Sequence, residues 1–171
     1  MGKLGEQLAE RQHLVVALSS AWLIGTSPLL GMMAKIPREP GFFDYSHLLV
    51  GLVVVPVSVS YLFTCIRGGR WRLYFPWICG QLGDLSRDCA GLFRGRMPVA
   101  EGGGLFAVIE GLALLLLAAT AVTGIGWLLA QGGAAALAWR SAHGGLALAL
   151  TVAIVLHVVT VSLHLLDFVR D

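Results

Sequence analysis

An α-helix crosses the hydrocarbon core of a bilayer with about 20 consecutive apolar residues, and four stretches of this chain meet that length. They run over about residues 13–33, 46–66, 104–130 and 142–168 of a 171-residue sequence. Lipid offers no hydrogen-bond partners, so such stretches satisfy their own backbone as helices. The expected fold is therefore all-α: one integral membrane domain over 1–171, a four-helix bundle with a cytoplasmic loop at 67–103. A composition of 57% hydrophobic and 13% charged residues excludes an ordinary soluble globular domain. The first stretch reads as a retained helix, because Met1 to Gln12 is polar and mixed in charge and no small-residue cleavage site follows.

Orientation follows from the basic residues. Lys3, Arg11, Arg67, Arg70, Arg72, Arg87, Arg94, Arg96 and Arg170 fall on one side of such a bundle, and Lys35, Arg38 and Arg140 on the other. The positive-inside rule then expects both termini and the long loop in the cytoplasm of a bacterial inner membrane. Phe42, Phe43, Tyr45, Trp127 and Trp139 would form the outer aromatic belt. The net charge of +2 resides mainly in the loop, which favours anionic lipid over nucleic acid as the partner. Within this frame Pro28 weakens the first helix, Ser46 caps the second, Pro56 kinks it, and Ser141 caps the fourth. Gly83 to Asp88 reads as a short interfacial helix inside the loop.

Four of the five histidines fall at matching depths in these stretches. Histidine is costly inside a membrane unless something coordinates it or bonds to it. His47 and His143 are each the second residue of a stretch entered from outside, so depth makes them partners. His13 opens its stretch from inside, toward the level of His157. His143 and His157 are 14 residues apart, nearly four helical turns. Both rings therefore leave one face, about 21 Å apart along the axis. Two pairs, each drawn from two helices, suggest two buried metal centres stacked across the membrane.

Haem b suits such a pattern, because imidazoles from two facing helices can hold its iron from both sides. Bis-histidine ligation leaves no open position for substrate, so electron transfer is the expected role. His13 is the least secure ligand, since an ordinary interfacial histidine would also lie at a helix end. Gly51, Gly144 and Gly145 lie near the outer pair, where a macrocycle needs side chains missing; glycine is also simply common in membrane helices. Arg140 and Arg11 could hold haem propionates or serve as interface anchors. His164 could replace His157 as ligand, lie near a quinone head group, or snorkel to lipid headgroups. Glu110 could take a proton in quinone chemistry or simply sit comfortably near a helix N-terminus. Cys65, Cys79 and Cys89 follow no metal-binding spacing and read as structural thiols. No Cys-x-x-Cys-His occurs, so covalent haem attachment is excluded.

At these residues the chain resembles the prokaryotic cytochrome b561 superfamily. It is most similar to the di-haem membrane subunits of respiratory formate dehydrogenases, nickel-iron hydrogenases and thiosulfate reductases. The resemblance covers nearly the whole chain. It rests on His13, on S-H-L-L-V-G from Ser46, on T-G-I-G from Thr123, and on the run from Ala142 to His157. It implies that His47 and His143 ligate an outer haem, and His13 and His157 an inner one. It also implies electron transfer from a separately encoded periplasmic iron-sulfur or multihaem subunit to ubiquinone or menaquinone. The chain would be the quinone-reactive subunit of an oxidoreductase complex rather than its catalytic subunit. Leu14 and the stretch Ala100 to Phe106 depart from the family's pattern, the latter near the expected quinone.

Other readings use the same residues. A free-standing cytochrome b561 oxidising a small reductant such as superoxide would need no partner subunit. A histidine-based metal-ion transporter would need a polar pathway, for which the helices supply few acidic residues. A passive anchor would leave the paired histidines unexplained.

Overall fold

The computed structural model describes residues 3–96, 98 and 103–170. Ala100 to Gly102, the first three residues of the divergent stretch Ala100 to Phe106, lie outside that description. Every element among the described residues is helical. Six α-helices follow one another: α1 (Lys3–Thr26), α2 (Phe42–Ile66), α3 (Trp71–Tyr74), α4 (Gly83–Leu92), α5 (Leu105–Ala130) and α6 (Ala136–Arg170). Short 3-10 turns sit at Ser27–Leu29 and Arg67–Gly69. Among the described residues α2, α5 and α6 are long and apolar enough to cross a membrane, which marks a membrane protein. Leu49, Val53, Phe63, Val122, Leu148 and Val155 are among the large apolar side chains they expose, as lipid contact requires. In α5, 33% of the apolar window is buried against 11% in α6, so α5 is the more enclosed.

The expected four-helix bundle with both termini cytoplasmic is not what these elements form, and α1 is the reason. Its first turns carry Lys3, Glu6, Glu10 and Arg11, and it stops at Thr26. Pro28 then enters the 3-10 turn, where its missing amide cannot continue the α-helical ladder. The apolar α-helix from His13 to Thr26 covers about 21 Å, short of a hydrocarbon core of about 30 Å. Three candidate spans remain. An odd number of crossings does not return a chain to the side it started from.

Two other boundaries move for local reasons. The second long helix begins at Phe42 because Asp44 caps it: one carboxylate oxygen accepts from the Gly41 amide at 3.0 Å. The other accepts from the Gly31 amide at 2.8 Å, joining the preceding loop to the helix. Ser46, expected as the cap, lies inside the helix and donates to the Phe43 carbonyl at 3.1 Å. The helix α6 begins at Ala136, whose amide bonds the Gly133 carbonyl at 3.2 Å, so Ser141 is an interior residue. By contrast α5 falls almost where its apolar run predicts, and α4 covers Gly83 to Asp88.

The chain packs as two compact units, Met1–Thr64 with Leu116–Ala149, and Cys65–Leu115 with Leu150–Asp171. In the first, α1 lies antiparallel along α2. Gln12 bonds Ser60 at 2.6 Å and Thr64 at 3.0 Å at one end, and Trp22 meets Phe42 edge-on at the other. The loop after α1 is tied down by Arg140 Nε on the Met32 carbonyl at 3.1 Å and Trp127 Nε1 on the Met33 carbonyl at 2.9 Å. Trp127 is thus buried and turned inward rather than part of an outer belt. In the second unit, the buried Asp88 accepts from the Leu105 amide at 2.8 Å and caps α5. Gly104 has no Cβ where that carboxylate lies, and Gly111 has none where the Tyr74 carbonyl approaches α5.

Candidate functional site

The first unit brings together His47 of α2 and His143 of α6. Their ring centres are 6.3 Å apart and their planes cross at 83°. A metal bound to an imidazole nitrogen lies about 2 Å from it, and the ring centre about 1 Å farther, so imidazoles on opposite sides of one metal have centres about 6 Å apart. The observed separation suits that arrangement.

Local chemistry holds the His143 ring. Its Nδ1 donates to the Thr120 carbonyl at 2.9 Å, with Thr123 Oγ1 at 3.4 Å from the same nitrogen. A carbonyl accepts only from a protonated ring nitrogen, so Nδ1 carries the hydrogen and Nε2 presents its lone pair. The Thr123 hydroxyl is itself anchored to the Ala119 and Thr120 carbonyls at 2.9 and 3.0 Å. Gly124 makes the close approach possible, because a Cβ there would lie 3.1 Å from the His143 Cε1. Gly126 does the same for Trp139, whose indole covers the site a Cβ would fill. The T-G-I-G run is therefore the surface on which two α6 side chains rest.

His47 differs. Its Nδ1 is buried with no hydrogen-bond partner among the described residues. An unmet buried polar group costs about 1–3 kcal/mol, which a ligand to the ring would offset. Asp44, one turn away, has its carboxylate engaged by the Gly31 and Gly41 amides. A Cβ added at Gly51, Gly144 or Gly145 would meet nothing within 4 Å, so the backbone there stands open.

The remaining candidates are distributed between the units. His13 is an exposed residue of α1 beside Tyr61, with ring centres 5.9 Å apart. It belongs to the first unit, and His157 to the second. His157 is half-buried on α6, with Nδ1 3.9 Å from the Glu110 carboxylate of α5. His164 meets Phe106 edge-on at 6.0 Å. Arg11 is exposed on α1, and Arg140 directs its Nε at the α1–α2 loop. Burial pushes the Tyr74 phenol above its ordinary range, helped by Cys65 and Glu110, and Arg70 partly opposes this. Cys65, Cys79 and Cys89 form no disulfide among the described residues.

Sequence reasoning missed Thr120, Thr123 and Gly124 as the residues that fix His143, and Asp44 and Asp88 as buried caps. The signals were present: acids beside glycines at helix starts, and small and hydroxyl residues one turn apart opposite a histidine. Among the described residues no three His, Cys, Asp or Glu side chains gather as a metal-binding group. A haem iron needs only two protein ligands, because the porphyrin supplies four. No known family model, curated protein or solved structure matches the chain.

Proposed function

We propose that this chain is a transmembrane electron-transfer cytochrome of the b561 type. It would hold two bis-histidine haems b and link a periplasmic redox subunit to the quinone pool of a bacterial inner membrane. The observation that carries this reading is the His47–His143 pair, with ring centres 6.3 Å apart inside a protein whose long helices are lipid-facing. The fit extends to the atoms. His143 has its Nδ1 committed to a carbonyl, which orients the ring and leaves Nε2 to ligate. The His47 ring contributes the buried nitrogen that nothing among the described residues satisfies. No other group lies within 4 Å of where a Cβ would stand at Gly51 or Gly144, so the helix surfaces there are open to a bulky ligand. Bound there, haem supplies a one-electron iron couple with no vacant coordination position.

The second pair, His13 with His157, is drawn from the sequence resemblance alone, and the two residues belong to different units. Six arginines between Arg67 and Arg96 favour the cytoplasm for that loop. The His47–His143 end of α2 and α6 would then face the periplasmic donor, an iron-sulfur or multihaem subunit. His164, beside Phe106, is the side chain assigned to the quinone head group. The test is electron transfer across sealed lipid vesicles containing the purified chain and trapped ferricyanide. A membrane-impermeant reductant added outside should bleach the trapped acceptor at a rate that scales with protein. Haem that reduces while the trapped acceptor stays oxidised would overturn the transmembrane role.

A further inference from the structure

We infer that α4 and the turn after it form an amphipathic anchor on the membrane surface, with Phe93 at the acyl boundary and Arg94 and Arg96 on anionic phospholipid headgroups. The inference rests on the apolar span α5 and not on the haem reading above. Leu82, Leu85, Cys89, Leu92 and Phe93 recur at helical spacing and share one face of α4 and its flanking residues. Asp84 and Arg87 lie on the opposite face, paired at 3.1 Å. The apolar face stays open: Leu82 is 45% exposed, Leu92 47% and Phe93 94%. An apolar face backed by a charged one suits a helix lying in the plane of a membrane interface.

Phe93 is held in place by the turn that ends α4. The Arg94 amide bonds the Gly91 carbonyl at 2.9 Å, the Gly95 amide the Leu92 carbonyl at 3.0 Å, and the Arg96 amide returns to Gly91 at 2.9 Å. Gly95 takes the positive φ of 68° on which this tight turn depends. An exposed aromatic ring is thus fixed beside two exposed arginines. The attachment of α4 decides what they meet. Asp88, buried in α4, accepts from the amide of Leu105, the first residue of α5. This bond ties α4 to the level where the span begins, within reach of lipid. Both acids of α4 are engaged, Asp84 by Arg87 and Asp88 by that amide, so Arg94 and Arg96 are left to complement lipid phosphate.

The experiment is lipid competition for the purified full chain in micelles of an uncharged detergent. Phosphatidylglycerol and phosphatidylcholine are added in equal amounts, and the lipid retained by the chain is identified by native mass spectrometry. Wild type should prefer phosphatidylglycerol. Arg94→Gln combined with Arg96→Gln should cut that preference about thirtyfold, at about fivefold for each arginine near an anionic surface. Arg94→Lys combined with Arg96→Lys should keep most of it, because the charge remains. Phe93→Ser should lower retention of both lipids about tenfold and leave their ratio unchanged. In wild type alone, which needs no variant to fold, the preference should weaken as added salt shortens the screening length. A preference absent from wild type, unaffected by salt, or undiminished in the glutamine variant would overturn the headgroup assignment. Unchanged retention in Phe93→Ser would overturn the aromatic anchor. A dimer that Phe93→Ser returns to monomer would place a second copy of the chain on this face and overturn the lipid reading.

Discussion

The two compact units treat their histidines in opposite ways. In the first, the His143 ring is locked by the Thr120 carbonyl, the Thr123 hydroxyl and the space left at Gly124, and His47 approaches it with a ring nitrogen that no described residue satisfies. In the second, His157 faces a carboxylate and His164 faces a phenylalanine. Neutral groups and close packing fix a ring by shape; a charged group acts on it through its field. The same residue type, spaced at 14 residues on one helix, is thus given two electronic environments by the neighbouring helix α5. Glycine divides in the same way. Gly124 makes room for the His143 ring, and Gly111 makes room for a backbone carbonyl.

Replacing His143 should break this contrast most severely. His143→Ala is expected to remove one of two haems, halving the haem absorbance per chain while the second centre persists. Loss of both together would show that the sites are not independent. Gly111→Ala should come next, because the Tyr74 carbonyl cannot retract as a side chain could. A cost of about 1–3 kcal/mol or more should lower the thermal midpoint of the second unit. Its haem spectrum should change little, and an unaltered midpoint would mean the backbone contact is dispensable.

Gly124→Ala probes the other glycine. A Cβ 3.1 Å from the His143 ring must tilt the imidazole, so haem retention at that site should fall about tenfold, read by competition with apomyoglobin. A variant that loses stability but not haem affinity would make Gly124 a packing residue like Gly111. Thr123→Val should have the smallest effect. It keeps the shape and removes a hydroxyl 3.4 Å from Nδ1 while the Thr120 carbonyl still orients the ring. Stability should change by about 1 kcal/mol or less, and the spectrum should be nearly that of wild type.

What the sequence made legible follows from what periodicity and length can encode. The helix α5 and the histidine spacing on α6 came through because long apolar runs and a 14-residue interval need no tertiary information. The length of α1 did not, since apolar residues continue past Thr26 while Pro28 ends the α-helix beneath them. Caps were misplaced for a related reason. Ser46 and Ser141 are good capping residues by type, but Asp44 and the Gly133 carbonyl reach the actual helix starts first. The closeness of His47 to His143 was legible, and the shelf beneath His143 was not. That shelf depends on which face of α5 meets α6, a fact that hydropathy alone does not carry when the helix is apolar all round.

The most direct measurement is a pyridine haemochrome assay with a reduced-minus-oxidised visible spectrum on the chain purified from haem-replete membranes. Two b-type haems per chain, with one lost in either His47→Ala or His143→Ala, is the predicted result. A colourless preparation, or haem that persists undiminished in both variants, would contradict the account.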